Sequence, residues 1–319
     1  MEFTVELIRE ARERIRCSIE ETPLVRVRGL DAAMGCEVYL KLENMQVTYS
    51  FKYRGAMNSV LALNEEERCR GIITASSGNH GRAIAYAAKQ LGTTAVVVMP
   101  KTSPQAKIDA IRHLGAEVIL CETSERFRIA AAESEKRGMT YVPPYNYYNV
   151  MAGQGTLGLE VMEQRPDLTH IVVPLSGGGL LSGVAAAVKA VSPQTKVIGA
   201  EPAEIPRYTK SLAAGEPVAV AQKPTVADAL VSTSPGPLCF PVIQKNVDGV
   251  AAVDEEMILK GQKLLLMEGK LLAEPAACIG IGAVLQGTLK FTPADRVCFL
   301  ITGGKVGFEQ IERLRDVSL

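Results

Sequence analysis

The chain has 319 residues, 47% hydrophobic and 22% charged, which suits a globular protein of about two domains. Its 35 basic residues balance 35 acidic ones and no long basic run appears, which argues against nucleic-acid and membrane partners. No stretch approaches the ~20 apolar residues of a bilayer span, and the seven scattered cysteines include no CxxC, so reduced thiols in the cytoplasm are expected rather than disulfides or zinc.

In chain order, MEFTVELIREARERI reads as an amphipathic helix and lacks the continuous apolar run of a secretory signal. In SFKYRGAMNSV (50–60) the apolar stripe Tyr53, Ala56, Met57, Val60, Leu61 predicts a helix with Lys52 on its inward side. Lysine is seldom buried without a partner. The stretch alone leaves two readings: a stem that returns its charge to water, or a desolvated amine able to form a Schiff base.

Further along, the strand-like runs GIITA (71–75), TAVVVM (94–99), AEVILC (116–121), HIVVPL (170–175), KVIGAE (196–201) and VCFLIT (297–302) alternate with helical stretches. This predicts an α/β fold of two open, mostly parallel twisted sheets flanked by helices. The Pro- and Asn-rich YVPPYNYYN (141–149) is the expected seam. A small substrate-binding domain, 69–146, is thereby inserted into a larger one formed by 1–68 and 147–319. The Pro-punctuated region 215–241 is expected to run as loops around a cleft.

Two segments share one plan of strand, Ser/Gly turn and small-residue helix: GIITASSGNHGRAIAYAAKQ (71–90) and HIVVPLSGGGLLSGVAAAVKA (170–190). Ligands bind beyond the carboxyl ends of such strands. SGGGLLSG is either a plain connection or a phosphate cradle of free amides at a helix N-terminus. It matches neither GxGxxG nor GxxxxGK[ST]. SSGNHG (76–81) is either an ordinary N-cap turn or a cradle for a carboxylate. His80 is expected to titrate near neutrality, His113 to lie on a helix surface and His170 at a strand edge; no triad or GxSxG elbow is present.

A phosphate cradle, a carboxylate cradle and a desolvated lysine are the parts that pyridoxal 5'-phosphate needs to act on an amino acid. At this point the chain resembles the fold-type II pyridoxal-phosphate enzymes of the serine/threonine dehydratase (threonine ammonia-lyase) and serine racemase branch. The matching stretches run in the family's order: TPLVRVRGL, VYLKLENMQVTYSFKYRGA, SSGNHGRAIAYAA, PPYNYYNVMAGQGTLGLE, LSGGGLLSG, GAEP and ITGGK.

The resemblance implies that Lys52 holds the cofactor aldehyde as a Schiff base and, once released, removes the substrate α-proton. Phe51 packs beside the ring, Asn79 bonds its hydroxyl, Ser176, Gly177, Gly178, Gly179 and Leu180 hold the phosphate, and Thr302 meets the pyridine nitrogen. Ser76, Ser77, Gly78, Asn79 and His80 receive the substrate, with Ser77 also at the position of an opposite-face base. A hydroxyl rather than a carboxylate at the nitrogen favours loss of a β leaving group. The implied reaction is deamination of a β-hydroxy amino acid, L-threonine or L-serine first, by a homodimer or homotetramer. The alternatives are serine racemisation and dehydration of a larger substrate such as hydroxyaspartate, phenylserine or a hydroxyectoine-derived compound.

The chain departs from the family pattern at Ser176, Ala229, Lys305 and Gly307. Arg207 stands where cation-dependent relatives place a second metal-binding carboxylate after Glu201. No metal is therefore expected, and a surface pair of Arg207 with Glu201 is expected instead.

Overall fold

The computed structural model describes residues 2–76 and 78–319. Ten strands form two sheets. The larger has the order β1-β2-β10-β7-β8-β9, with β1 Leu24–Arg26, β2 Glu37–Leu42, β10 Arg296–Ile301, β7 His170–Pro174, β8 Lys196–Pro202 and β9 Gly249–Val253. Only β1 runs antiparallel to its neighbour. The smaller sheet, β5-β4-β3-β6, is parallel throughout, with β3 Ile72–Ala75, β4 Ala95–Pro100, β5 Glu117–Cys121 and β6 Thr140–Tyr141. The six strands expected from apolar runs form with ends shifted by a residue or two. Four others, β1, β2, β6 and β9, gave no such signal. β2 carries Lys41 inside its apolar run, β6 has two residues, and β9 is built mostly of small ones.

Parallel strands need crossovers, and the intervening helices cover both faces of the large sheet in two apolar clusters. The helix Tyr148–Gln164 is buried from Val150 to Met162, an interior helix between Lys52–Leu61 and Gly179–Val191. The helix Lys52–Leu61 turns Tyr53, Ala56, Met57 and Val60 into the core of the four-stranded sheet, as its stripe predicts. Its first residue thus faces the seam between the sheets. Region 216–238 contains no helix or strand; the rest of the expected loop region enters the helix Cys239–Asn246. His170 stands at the edge of β7 as its first residue, and His113 is exposed on its helix, both as expected.

Behind Lys52 lies an ionic cluster with no counterpart in the sequence reading. Arg54 is fully buried and donates to Glu43 Oε1 and Oε2 at 2.8 and 2.9 Å and to both Glu160 oxygens at 2.8 and 2.9 Å. Lys41, also fully buried, donates to Glu160 at 2.5 Å, to Gln164 at 2.8 Å and to the Thr22 carbonyl at 2.6 Å. Two cations and two carboxylates neutralise one another, as burial of charge requires. The quartet ties β2, the Lys52 helix and the helix Tyr148–Gln164 together.

Candidate active site

Lys52 heads its helix because Phe51 is held first: the Phe51 amide donates to the Thr302 carbonyl at 3.1 Å, and Ser50 bridges to Gly303. This joins Phe51 and Lys52 to the turn that follows β10, three of the expected cofactor residues in one place. Lys52 Nζ donates to the Pro144 carbonyl at 2.7 Å and lies 5.1 Å from the centroid of the Phe51 ring. No carboxylate pairs with it among the described residues. Burial pulls its ammonium down to about 8, against weak support from Cys239 and Glu274. The Cys239 thiol is itself pushed up to about 12 by burial and stays neutral. An amine in that state is available as a nucleophile near neutral pH.

On one side of Lys52 lies the glycine loop after β7. Its carbonyls are all engaged. Arg207 donates to Leu175 and, at 3.0 Å, to Ser176; Tyr208 Oη and the Gly236 amide donate to Gly177 at 3.0 and 2.9 Å; Ser182 N donates to Gly178 at 2.8 Å. The amides of Ser176 to Leu181 have no acceptor among the described residues, and no side chain caps the helix Gly179–Val191. Gly178 sits at φ +104°, where a Cβ would fall 2.0 Å from Tyr208 Oη; one on Gly177 would fall 2.5 Å from the Tyr145 ring. The loop fits a phosphate: free amides, a helix N-terminus and no room for side chains. Leu180 is buried, and Ser176 Oγ accepts the Ser232 amide at 3.4 Å.

On the other side lies the turn after β3. Ser76 Oγ accepts the Gly78 amide at 3.3 Å, and Gly78 precedes the helix Asn79–Gln90. Ser77 lies outside the described residues. The Asn79 side-chain amide donates to both oxygens of Glu274 at 3.1 Å, while its Oδ1 is buried with no partner among the described residues. His80 is buried with Nε2 3.1 Å from the Val142 carbonyl, so the proton sits on Nε2, and Nδ1 has no partner among the described residues. Burial, then Lys52, pushes its pKa down to about 3. The expectation that His80 titrates near neutrality is corrected: the ring stays neutral.

Glu274 is the residue that the sequence reading missed. It precedes Pro275 at the start of the helix Pro275–Leu285, and burial pushes its carboxyl up to about 7. A signal was present, since Glu274 is the only charged residue between Lys270 and Lys290. The Arg207 expectation holds for its partner and is corrected for its place. Arg207 and Glu201 are both fully buried and 3.9 Å apart, not a surface pair. The guanidinium spends its donors on carbonyls of the glycine loop, Ile205 and Leu230. Glu201 accepts from Tyr208 N, Thr209 N and Thr209 Oγ1 at 3.0, 2.7 and 2.8 Å. Among the described residues no group of three His, Cys, Asp or Glu is placed to hold a metal, and no two cysteines are joined.

Residues 15–303 match the family described as "Pyridoxal-phosphate dependent enzyme". The chain belongs to that family. Its cofactor is pyridoxal phosphate, which the lysine, the free amides and the glycine clearances just described fit. The chain is 42% identical to an L-threonine ammonia-lyase of Thermotoga maritima, covering 99% of this chain and 79% of the relative. It is 36% identical to an L-threo-3-hydroxyaspartate ammonia-lyase of a Pseudomonas species, covering 96% of each. Maize serine racemase superposes with a TM-score of 0.93 at 34% identity, over 98% of this chain and 97% of that one. The fold and the cofactor expected from the resemblance stand, as does a pyridoxal-phosphate-dependent ammonia-lyase as the enzyme class.

Proposed function

We propose that the protein deaminates a β-hydroxy amino acid, eliminating water and then releasing ammonia to give a 2-oxo acid, with L-threonine and L-serine as first substrates. The observation that carries this reading is Lys52, a desolvated amine without a counter-ion, set between a loop of free amides and the Asn79 turn. When bound, pyridoxal phosphate supplies the electron sink that acidifies the substrate α-carbon. Lys52 holds the cofactor and takes the α-proton, burial having loosened the proton on its own nitrogen. Ser176 to Leu180 bind the phosphate, Phe51 packs against the ring, and Thr302 and Asn79 address its polar edge. Ser76 to His80 receive the substrate carboxylate through amides and hydroxyls at a helix start.

The division into a small domain, 69–146, and a large one, 1–68 with 147–319, belongs to this reading and is supported by the two sheets. So do a homodimer or homotetramer and a cytoplasmic site of action. No helix among the described residues is long and apolar enough to cross a membrane. The test is a panel of β-hydroxy amino acids assayed for 2-oxo acid, ammonia and inverted enantiomer. Release of 2-oxo acid and ammonia from L-threonine or L-serine is the expected result, and inversion alone would overturn it. The likeness to serine racemase makes inversion the second reading, and Ser77 separates the two. Ser77→Ala is expected to abolish inversion and action on D-serine while keeping at least about a tenth of L-elimination, since only the former need a base on the opposite face.

A further inference from the structure

Two cations border the Asn79–Glu274 pair, and neither has an anionic partner among the described residues. Arg82 lies one turn beyond Asn79 on the same face of its helix. Its guanidinium sits over the Tyr49 ring, 5.3 Å from the centroid, and its buried Nε has no hydrogen-bond partner among the described residues. The Tyr49 carbonyl accepts the Gly304 amide at 3.0 Å, so one tyrosine carries Arg82 on its ring and the Gly303–Lys305 turn on its backbone. Glu274 lies under that turn, since a Cβ on Gly303 would fall 2.4 Å from its Oε1. Lys305 is partly buried at the end of the turn. Burial pulls its ammonium down to about 8; Arg82 and Lys107 push the same way, and Glu274 and Asp228 oppose them. Lys107 differs in having a counter-ion, Asp228, at 3.8 Å.

Arg68 also buries an Nε with no hydrogen-bond partner among the described residues, but Arg82 does so beside a second partly buried cation, Lys305, and next to Asn79. Two like charges held together, partly desolvated and unpaired, are costly unless an anion joins them. They stand beside the turn expected to receive substrate, not on a remote surface. We propose that Arg82 and Lys305 form a subsite for a second carboxylate on the substrate, carried on its β-carbon in place of the hydrogen or methyl of serine and threonine. The guanidinium offers a planar fork for the carboxylate and Lys305 a point charge beside it. This rests on the lyase reading above and extends it to acidic β-hydroxy amino acids.

The test compares L-threo-3-hydroxyaspartate with L-serine on the holoenzyme and titrates the same protein with succinate, whose carboxylates have the same two-carbon separation, and with propionate. The expected result is a kcat/KM for hydroxyaspartate at least about tenfold above that for L-serine, carried by KM. Arg82→Gln and Lys305→Asn should each cut that ratio about tenfold or more, with Arg82→Lys recovering part of the loss. Succinate should bind about tenfold or more tighter than propionate, and that preference should disappear in both variants (tenfold being 1.4 kcal/mol). A ratio unmoved by the variants, or a wild type that prefers L-serine, overturns the proposal. Sulfate binding as tightly as succinate overturns it too, assigning the pair to free inorganic anions. If no amino acid is deaminated yet succinate preference depends on Arg82 and Lys305, the lyase reading fails and the subsite stands. If deamination proceeds but succinate binds no better than propionate, the subsite fails alone.

Discussion

Lys41 is fully buried and Lys52 partly so, and burial lowers the pKa of both. Their surroundings separate them. Lys41 meets Glu160 at 2.5 Å plus two further acceptors, while Lys52 meets one carbonyl and, among the described residues, no carboxylate. The contrast extends to the arginines beside them. Arg54 has four carboxylate oxygens, while Arg82 has a tyrosine face and a bare Nε. A buried charge that is fully paired holds the frame; one left unpaired is held ready for something that arrives later. The quartet behind the Lys52 helix is of the first kind, and the rim around Asn79 and Glu274 of the second.

The largest effect should come from Lys52. Lys52→Met is expected to lower deaminase activity by at least about 10³-fold. Borohydride treatment of wild-type protein should fix a pyridoxyl group on Lys52, detected by peptide mass; recovery on Lys41 instead would break the comparison. Without cofactor, Lys52→Met should melt at or above wild type at pH 7. The sign follows from the depressed pKa: stability present above 10.5 is lost as pH falls through about 8, so the neutral-pH apoprotein carries a penalty that Met removes.

Arg54→Met should do the opposite. It leaves Glu43 and Glu160 buried with only Lys41 to balance them, a loss of about 3–5 kcal/mol of folding stability. Denaturant unfolding of the apoprotein checks it. A loss below ~1 kcal/mol would mean that the quartet is no better paired than the rim.

The same contrast explains what could be read from sequence. The alternating strands, Lys52 on its inward stripe and the glycine turn were legible because periodicity and glycine runs are local signals. β2 was not, because Lys41 interrupts its apolar run, and only Glu160, 119 residues away, makes its burial tolerable. Arg207 does lie against Glu201 as expected, but its hydrogen bonds go to the carbonyls of Leu175 and Ser176, 32 and 31 residues earlier, and of Ile205 and Leu230, which carry no sequence signature. His80 looked titratable because nothing local announces that Val142 and Lys52 close over it. Glu274 is missed although its isolation in an uncharged stretch is a local signal, because its role is defined by Asn79, 195 residues away.

Glu274 gives an intermediate effect. Its carboxyl is raised from 4.5 to about 7, with burial the chief cause. A raised pKa contributes stability that is present below 4.5 and is lost as pH climbs through about 7, a span worth up to about 3 kcal/mol. The apoprotein should therefore lose stability relative to Glu274→Gln between pH 4.5 and 7, measured by unfolding at matched ionic strength. Parallel curves would show that Asn79 and the nearby cations hold Glu274 ionised, making it a paired group after all.

The smallest effect concerns Glu201 and Arg207, which test whether a paired site has any use for a metal. Glu201 already accepts three hydrogen bonds from the start of the helix Arg207–Ala214. Hard cations such as Mg²⁺ and Ca²⁺ need six or more oxygens, and a carboxylate committed to amides would have to give these up. The Arg207 charge, 3.9 Å away and fully buried, opposes a second cation, while burial lowers its pKa and Glu201 works against that. Its guanidinium also fastens the carbonyls of Leu175 and Ser176, work that a metal would do from elsewhere. Chelator, or added Mg²⁺ or Ca²⁺, is accordingly expected to change kcat by less than about twofold and Tm by less than about 1 °C, since a ligand that does not bind shifts nothing. Activity lost to chelator and restored by either cation would mean that Glu201 releases its helix to take a metal, and that this buried pair is not the closed unit its hydrogen bonds describe.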